Sequence, residues 1–155
     1  MPRQTTRREF VQQSGALAAA LWVGGSVPLQ ASRSAIETLN IAAIGAGGKG
    51  RTDIRECSSE NIVALCDPDE ERAAESYAKY PQAKRYHDYR KMLEERKDLD
   101  AVIVSAPDHT HAPASIMAMK KGLHVYCQKP LTHSVYEARM MRKVADEEGV
   151  ITQMG

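Results

Sequence analysis

Leu39-Asn40-Ile41-Ala42-Ala43-Ile44-Gly45-Ala46-Gly47-Gly48-Lys49-Gly50 sets the architecture of this chain. Residues 39–44 form a short apolar run without polar alternation, the pattern of a strand buried on both faces. The run ends in G-x-G-x-x-G, and from Gly48 to Cys57 the spacing predicts a helix. Gly45 permits the tight turn, Gly47 lets backbone approach a pyrophosphate, and Gly50 lets helix and strand pack closely. The helix start, with Gly48 and Lys49, turns unpaired N–H groups and a positive dipole end toward phosphates.

The pattern continues outward from this loop. Residues 61–66 predict a second strand, and Asp67 follows it, 22 positions after Gly45. An acid there can accept hydrogen bonds from both hydroxyls of an adenosine ribose. Its charge repels a 2′-phosphate, and neither Pro68 nor Asp69 supplies a cation, so NAD is expected in preference to NADP. Residues 69–80 predict a helix with Ala73, Ala74, Tyr77 and Ala78 on one face, ended by Pro81. A short strand over 83–86 and a charged, solvent-facing helix over 89–96 follow. Residues 101–105 read as a strand, 112–121 as a helix stopped by Gly122, and 123–127 as the next strand. Ser134-x-x-Glu137 is a capping box that opens a helix over 134–148, stopped by Gly149, and a sixth strand begins over 150–153. Apolar strands alternating with helices predict a doubly wound parallel sheet, a Rossmann domain over 36–155 whose strand order begins 3-2-1-4-5.

Composition removes several function classes. A net charge of +1 gives no electrostatic footprint for nucleic acid or an anionic membrane surface, and one Phe with one Trp is too few for base-stacking platforms. Cys57, Cys66 and Cys127 are three in number and contain no CxxC, so neither a disulfide framework nor a zinc knuckle is expected. Cys66 and Cys127 sit in apolar runs, as buried free thiols do. His109 and His111 with Asp108 do not have a standard zinc spacing, and no metal site is expected.

The first 35 residues differ in kind. Thr6-Arg7-Arg8-Glu9-Phe10-Val11, followed by a mildly apolar run from 15 to 28, matches the twin-arginine export pattern. Gln12, Gln13, Ser14 and Ser26 interrupt that run, leaving it too short for a membrane span. A signal peptide and linker are therefore expected, with export to the periplasm or outside and no stable membrane anchor after signal removal.

Three further clusters stand at strand ends, the edge where open α/β sheets bind ligands. They are Ser105-Ala106-Pro107-Asp108-His109-Thr110-His111, Gln128-Lys129-Pro130 and Thr132-His133-Ser134. With the glycine loop, Cys66-Asp67 and the run His124-Val125-Tyr126-Cys127-Gln128-Lys129-Pro130-Leu131, they make residues 39–155 resemble the glucose–fructose oxidoreductase / inositol dehydrogenase (Gfo/Idh/MocA) family. Lys129-Pro130 matches the family's Glu-Lys-Pro signature, with Gln128 where the pattern usually has Glu. Gln keeps hydrogen bonding and loses the charge.

The resemblance implies an NAD-dependent oxidoreductase acting on a sugar, polyol or related hydroxyl, and a homo-oligomer when full length. It places Lys129 beside the nicotinamide ribose and the substrate hydroxyl, as the catalytic residue. Gly45, Gly47, Gly48, Lys49, Gly50, Asp67, Ser105, Ala106, Pro107, His111, Gln128, Lys129 and Pro130 are the expected cofactor contacts. His111 is expected to cap or pack the following helix near the cofactor. A glycosidase that uses NAD for transient oxidation, and a nucleotide-binding module without turnover, stay open as alternatives. The family pattern continues into a second, substrate-binding domain, so this chain is expected to be a Rossmann domain cut short at its C-terminal end.

Overall fold

The structure is a computed structural model that describes residues 38–155; the expected signal peptide and most of the linker lie outside the described residues. Among the described residues six strands and five helices alternate. They are β1 (Asn40–Ile44), α1 (Lys49–Glu56), β2 (Asn61–Cys66), α2 (Glu70–Lys79), β3 (Lys84–Tyr86), α3 (Tyr89–Glu95), β4 (Ala101–Val104), α4 (Asp108–Met119), β5 (His124–Cys127), α5 (Val135–Glu148) and β6 (Thr152–Met154). All pair in parallel, in the order β3-β2-β1-β4-β5-β6. The order reverses between β1 and β4, which opens a crevice at the carboxyl ends of those two strands.

Strand alternation divides the core into two layers. Ala42 and Ile44 of β1 with Val102 and Val104 of β4 face Met92, Leu93, Ala118, Met119, Met141 and Val144 from α3, α4 and α5. Ile41, Ala43 and Ile103 face the other way, onto Ile54, Ala73 and Tyr77 from α1 and α2. Both faces of the central strands are thus dry, which explains their unbroken apolar sequence.

Three expectations need correction. On α2 the buried residues are Ala73, Ser76 and Tyr77, while Ala74 and Ala78 are exposed. Ser76 goes inside because its Oγ donates to the Ala46 carbonyl at 2.6 Å, a polar partner that apolar periodicity does not register. The α3 helix is not merely solvent-facing, since it buries Met92 and Leu93 completely beneath its charged residues. The α4 helix starts at Asp108, a full turn before 112, so the Asp108–His111 cluster is its first turn and not a loop. Pro113 lies inside this helix, where it removes one backbone hydrogen bond. Burial of His111, Ala112, Ala114 and Ser115 offsets that loss. The ends of α5 are as expected: Ser134 and Glu137 form the capping box, and Gly149 ends the helix in the left-handed region at φ 64°.

The three cysteines are free, with Cys66 and Cys127 buried. Burial, reinforced by the Asp67 charge, pushes the Cys66 thiol up to about 12. Burial also raises Cys127 and, less enclosed, Cys57. At pH 8 the folded protein should therefore expose only Cys57 to a chromogenic disulfide reagent, and all three thiols should react once it is unfolded. Rapid native labelling of Cys66 would contradict this packing.

Candidate functional site

The glycine loop links β1 to α1 at the sheet's carboxyl edge. Gly45 has φ 86°, and a Cβ there would lie 2.6 Å from the Ser105 carbonyl oxygen. A Cβ on Gly47 would lie 2.7 Å from the Arg72 carbonyl oxygen. The loop is therefore wedged between β4 and α2, and only hydrogen side chains fit. The N-terminus of α1 carries no side-chain cap; Gly50 N donates to the Gly47 carbonyl at 3.0 Å, and the N–H groups of Gly48 and Lys49 are left to a phosphate.

Asp67 is buried and has a structural duty that the sequence did not reveal. Its Oδ2 accepts from Ala46 N at 2.9 Å and Gly47 N at 3.1 Å, and Oδ1 accepts from Asp69 N at 3.0 Å. The carboxylate thus shapes the loop, and Oδ1 keeps acceptor capacity for a ribose hydroxyl.

From this loop a cavity of about 670 Å³ runs along the switch point, lined among others by Gly45, Gly47, Lys49, Asp67, Arg72 and Pro107. A second hollow of about 150 Å³ adjoins it, lined by Lys49, Ser105, Ala106, Asp108, His111, Gln128, Lys129 and Pro130. Lys49, Ser105 and Ala106 border both, so the two form one trench. Every expected cofactor contact except Gly48 and Gly50 lines it. Gly48 is the N-cap of α1 beside it, and Gly50 is buried beneath the loop.

His111 is 2 % exposed and spans the trench wall. Nδ1 meets the Pro130 carbonyl and Nε2 the Ala106 carbonyl, each at 2.7 Å. It therefore ties the β4–α4 connection to the loop after β5. Lys129 itself is exposed, at the rim of the smaller hollow.

Two residues escaped the sequence reading. Asp53 of α1 is 5 % exposed and collects Lys49 Nζ, Ser105 Oγ at 2.7 Å and Gln128 Nε2 at 3.2 Å. Donating to the Asp53 carboxylate also raises the Lys49 ammonium above its usual range. The available signal was an acid in phase with Gly50 and Ile54 on the buried stripe of α1. Arg72, five residues beyond Asp67, lies over the glycine loop, its Nη2 3.6 Å from where a Gly48 Cβ would stand. A cation thus borders the trench even though none follows Asp67 directly in sequence.

The family profile described as "Oxidoreductase family, NAD-binding Rossmann fold" (GFO_IDH_MocA) matches residues 39–155. The chain belongs to this family. As a Gfo/Idh/MocA Rossmann domain it takes NAD as its cofactor, and the uncapped helix start, the glycine cradle and the buried acid fit that dinucleotide. It is similar to inositol 2-dehydrogenase 4 of Saccharopolyspora erythraea, 36 % identical over 98 residues, which cover 61 % of this chain and 29 % of that protein. It is similar to an alpha-N-acetylgalactosaminidase of Shewanella oneidensis, 29 % identical over 161 residues, covering 84 % of this chain and 35 % of that one. The crystal structure of myo-inositol 2-dehydrogenase from Lactobacillus plantarum superposes with a TM-score of 0.70 at 29 % identity, covering 77 % of this chain and 36 % of the other. The chain spans about a third of the length of these Gfo/Idh/MocA relatives.

Proposed function

We propose that this domain serves an NAD-dependent oxidoreductase that, when full length, moves hydride between the nicotinamide and a hydroxyl of a sugar, polyol or related substrate. The observation that carries this is Lys129-Pro130 at the end of β5, on the rim of the hollow that continues the nucleotide trench. Gly45, Gly47, Gly48, Lys49 and Gly50 cradle the pyrophosphate, and Asp67 accepts from the adenosine ribose. Ser105, Ala106, Pro107, His111, Gln128 and Pro130 wall the nicotinamide end. Bound NAD supplies the hydride acceptor. Lys129 would act there as the catalytic residue, orienting the substrate hydroxyl and stabilising the negative charge that develops on its oxygen. The test is to express the gene with its downstream sequence and screen sugars and polyols for NADH production. Substrate-dependent NADH formation supports the proposal.

A second reading, NAD-assisted glycoside cleavage, is favoured by the similarity to the alpha-N-acetylgalactosaminidase. Glycoside cleavage without net NADH would select it over the first. Purified alone, the 155-residue chain is expected to bind nucleotide weakly and to turn nothing over.

Two predictions belong to this reading. The full-length protein should bind NAD(H) more tightly than NADP(H). Asp67→Ser should erode that preference at least about tenfold, because a charge that opposes the 2′-phosphate is gone while Arg72 remains in the trench. It should also weaken NAD(H), since Ala46 and Gly47 lose their acceptor. Calorimetry with both cofactors reads this, and equal affinities in the unmodified protein would contradict it. The Arg7–Arg8 pair should direct export, so an Arg7→Lys, Arg8→Lys double variant should stay in the cytoplasm as precursor. Fractionation and immunoblotting check this, and undiminished export would refute a twin-arginine role.

A further inference from the structure

Gln128 is buried beside a buried carboxylate, Asp53, which lies 75 residues earlier in the chain. The Gln128 amide is 5 % exposed and fully engaged: Nε2 donates to Asp53 Oδ1 and to Tyr126 Oη, each at 3.2 Å, and Oε1 accepts from Lys129 N at 3.1 Å. A carboxylate only accepts, so Asp53 compels the NH2 end of the amide toward itself and the oxygen toward the Lys129 backbone. Asp53 is held in turn by Ser105 Oγ at 2.7 Å and by Lys49, which offsets its charge. The backbone of Gly155 closes the other side, where a Cβ would come within 2.5 Å of Gln128 Nε2.

We propose that Asp53 is the positioning residue for Lys129, acting through the Gln128 amide, and that Asp53 and Gln128 form one unit in which the carboxylate sits at position 53 and the donor at position 128. Glu at 128 beside Asp53 would bring two acceptor-only groups together where one donor contact now stands. The same two charge states exchanged, Asn at 53 and Glu at 128, would rebuild the bond with the donor on the other side. The unit sets the path of the loop after β5; Lys49 joins Asp53 to the glycine loop, whereas Gln128 bonds to Asp53, Tyr126 and Lys129 and Asp67 stands apart, so a change at position 128 acts at the nicotinamide end. The inference rests on the NAD-dependent reading above.

The test is a double-mutant cycle in the full-length protein, read by calorimetry with NADH and with ADP-ribose, which lacks the nicotinamide. Gln128→Glu should weaken NADH about tenfold and ADP-ribose less than about twofold, and adding Asp53→Asn should restore NADH to within about threefold of wild type. The NADH deficit of Gln128→Glu should also shrink as the pH is lowered toward 5, because one shared proton recreates a donor between the carboxyls. The groups facing that proton are Asp53 and Lys49 on α1 and the Tyr126 hydroxyl on β5. The double variant should lack this acid-side recovery relative to wild type. If Gln128→Glu does not fold, Gln128→Met removes all three bonds without adding charge, and it should still weaken NADH severalfold more than ADP-ribose. Equal losses for both ligands, or additive effects in the cycle, would overturn the positioning role while leaving the cofactor reading intact. A wild-type protein that binds ADP-ribose and NADH not at all would overturn both.

Discussion

Lys129→Met in the full-length protein is expected to lower kcat for hydride transfer by about 10²–10⁴-fold, the range for loss of a positioned acid–base group. NADH affinity should change less than about threefold, because the loop after β5 is held by backbone contacts that the substitution spares. Those contacts are Lys129 N–H to Gln128 and Pro130 O to His111. Met keeps the length and apolar stem of the side chain and deletes only the ammonium. Lys129→Arg should not restore activity, since a planar, permanently charged fork cannot replace a compact ammonium at the rim of a hollow of about 150 Å³. Stopped-flow measurement of NADH formation, with NADH binding followed separately by fluorescence, checks both halves. A kcat within threefold of wild type would remove Lys129 from the chemistry and strengthen the hydrolytic alternative.

Gly50→Ala should be the most damaging conservative change in the domain. A Cβ at that position would sit inside the van der Waals envelope of the Gly45 carbonyl oxygen and 3.2 Å from Ser105 Cβ. Neither β1 nor α1 can yield without opening the loop and both core layers. The expected cost is at least about 4 kcal/mol, in the range reserved for severe steric conflict. That corresponds to a fall in Tm on the order of 15 °C for a domain of this size, with nucleotide binding abolished. Gly149→Ala provides the contrast. Gly149 has φ 64° but open space around its would-be Cβ, so only the left-handed backbone opposes the change, at about 1 kcal/mol. Thermal unfolding followed by circular dichroism, compared across the two variants, measures the difference. A stable Gly50→Ala protein that still binds NADH would mean that the loop does not approach the strand as closely as described.

Much of this was legible because local chemistry and global topology agree. Strand, glycine loop, helix, strand and acid follow one another in sequence as they do in space, and parallel pairing forces apolar residues onto both faces of each central strand. The Ser134–Glu137 box and Gly149 marked both ends of α5, since caps are satisfied within a few residues of where they are written. Exceptions arose where a distant partner decided the outcome. Ser76 turns inward to reach Ala46, thirty residues earlier, and α4 runs back through Pro113 to Asp108 while His111, Ala112, Ala114 and Ser115 on either side of the proline are buried.

The site divides along the same line. Sequence alone was enough to put the glycine loop, Asp67 and the clusters after β4 and β5 along one edge of the sheet. Only the tertiary structure disclosed that Asp67 spends one oxygen on the glycine loop and that Arg72 overhangs that loop. Only it joined Asp53 to Gln128 across 75 residues of chain. Periodicity reports which side of an element is buried, and a buried acid is legible only once the donors that compensate it are in place.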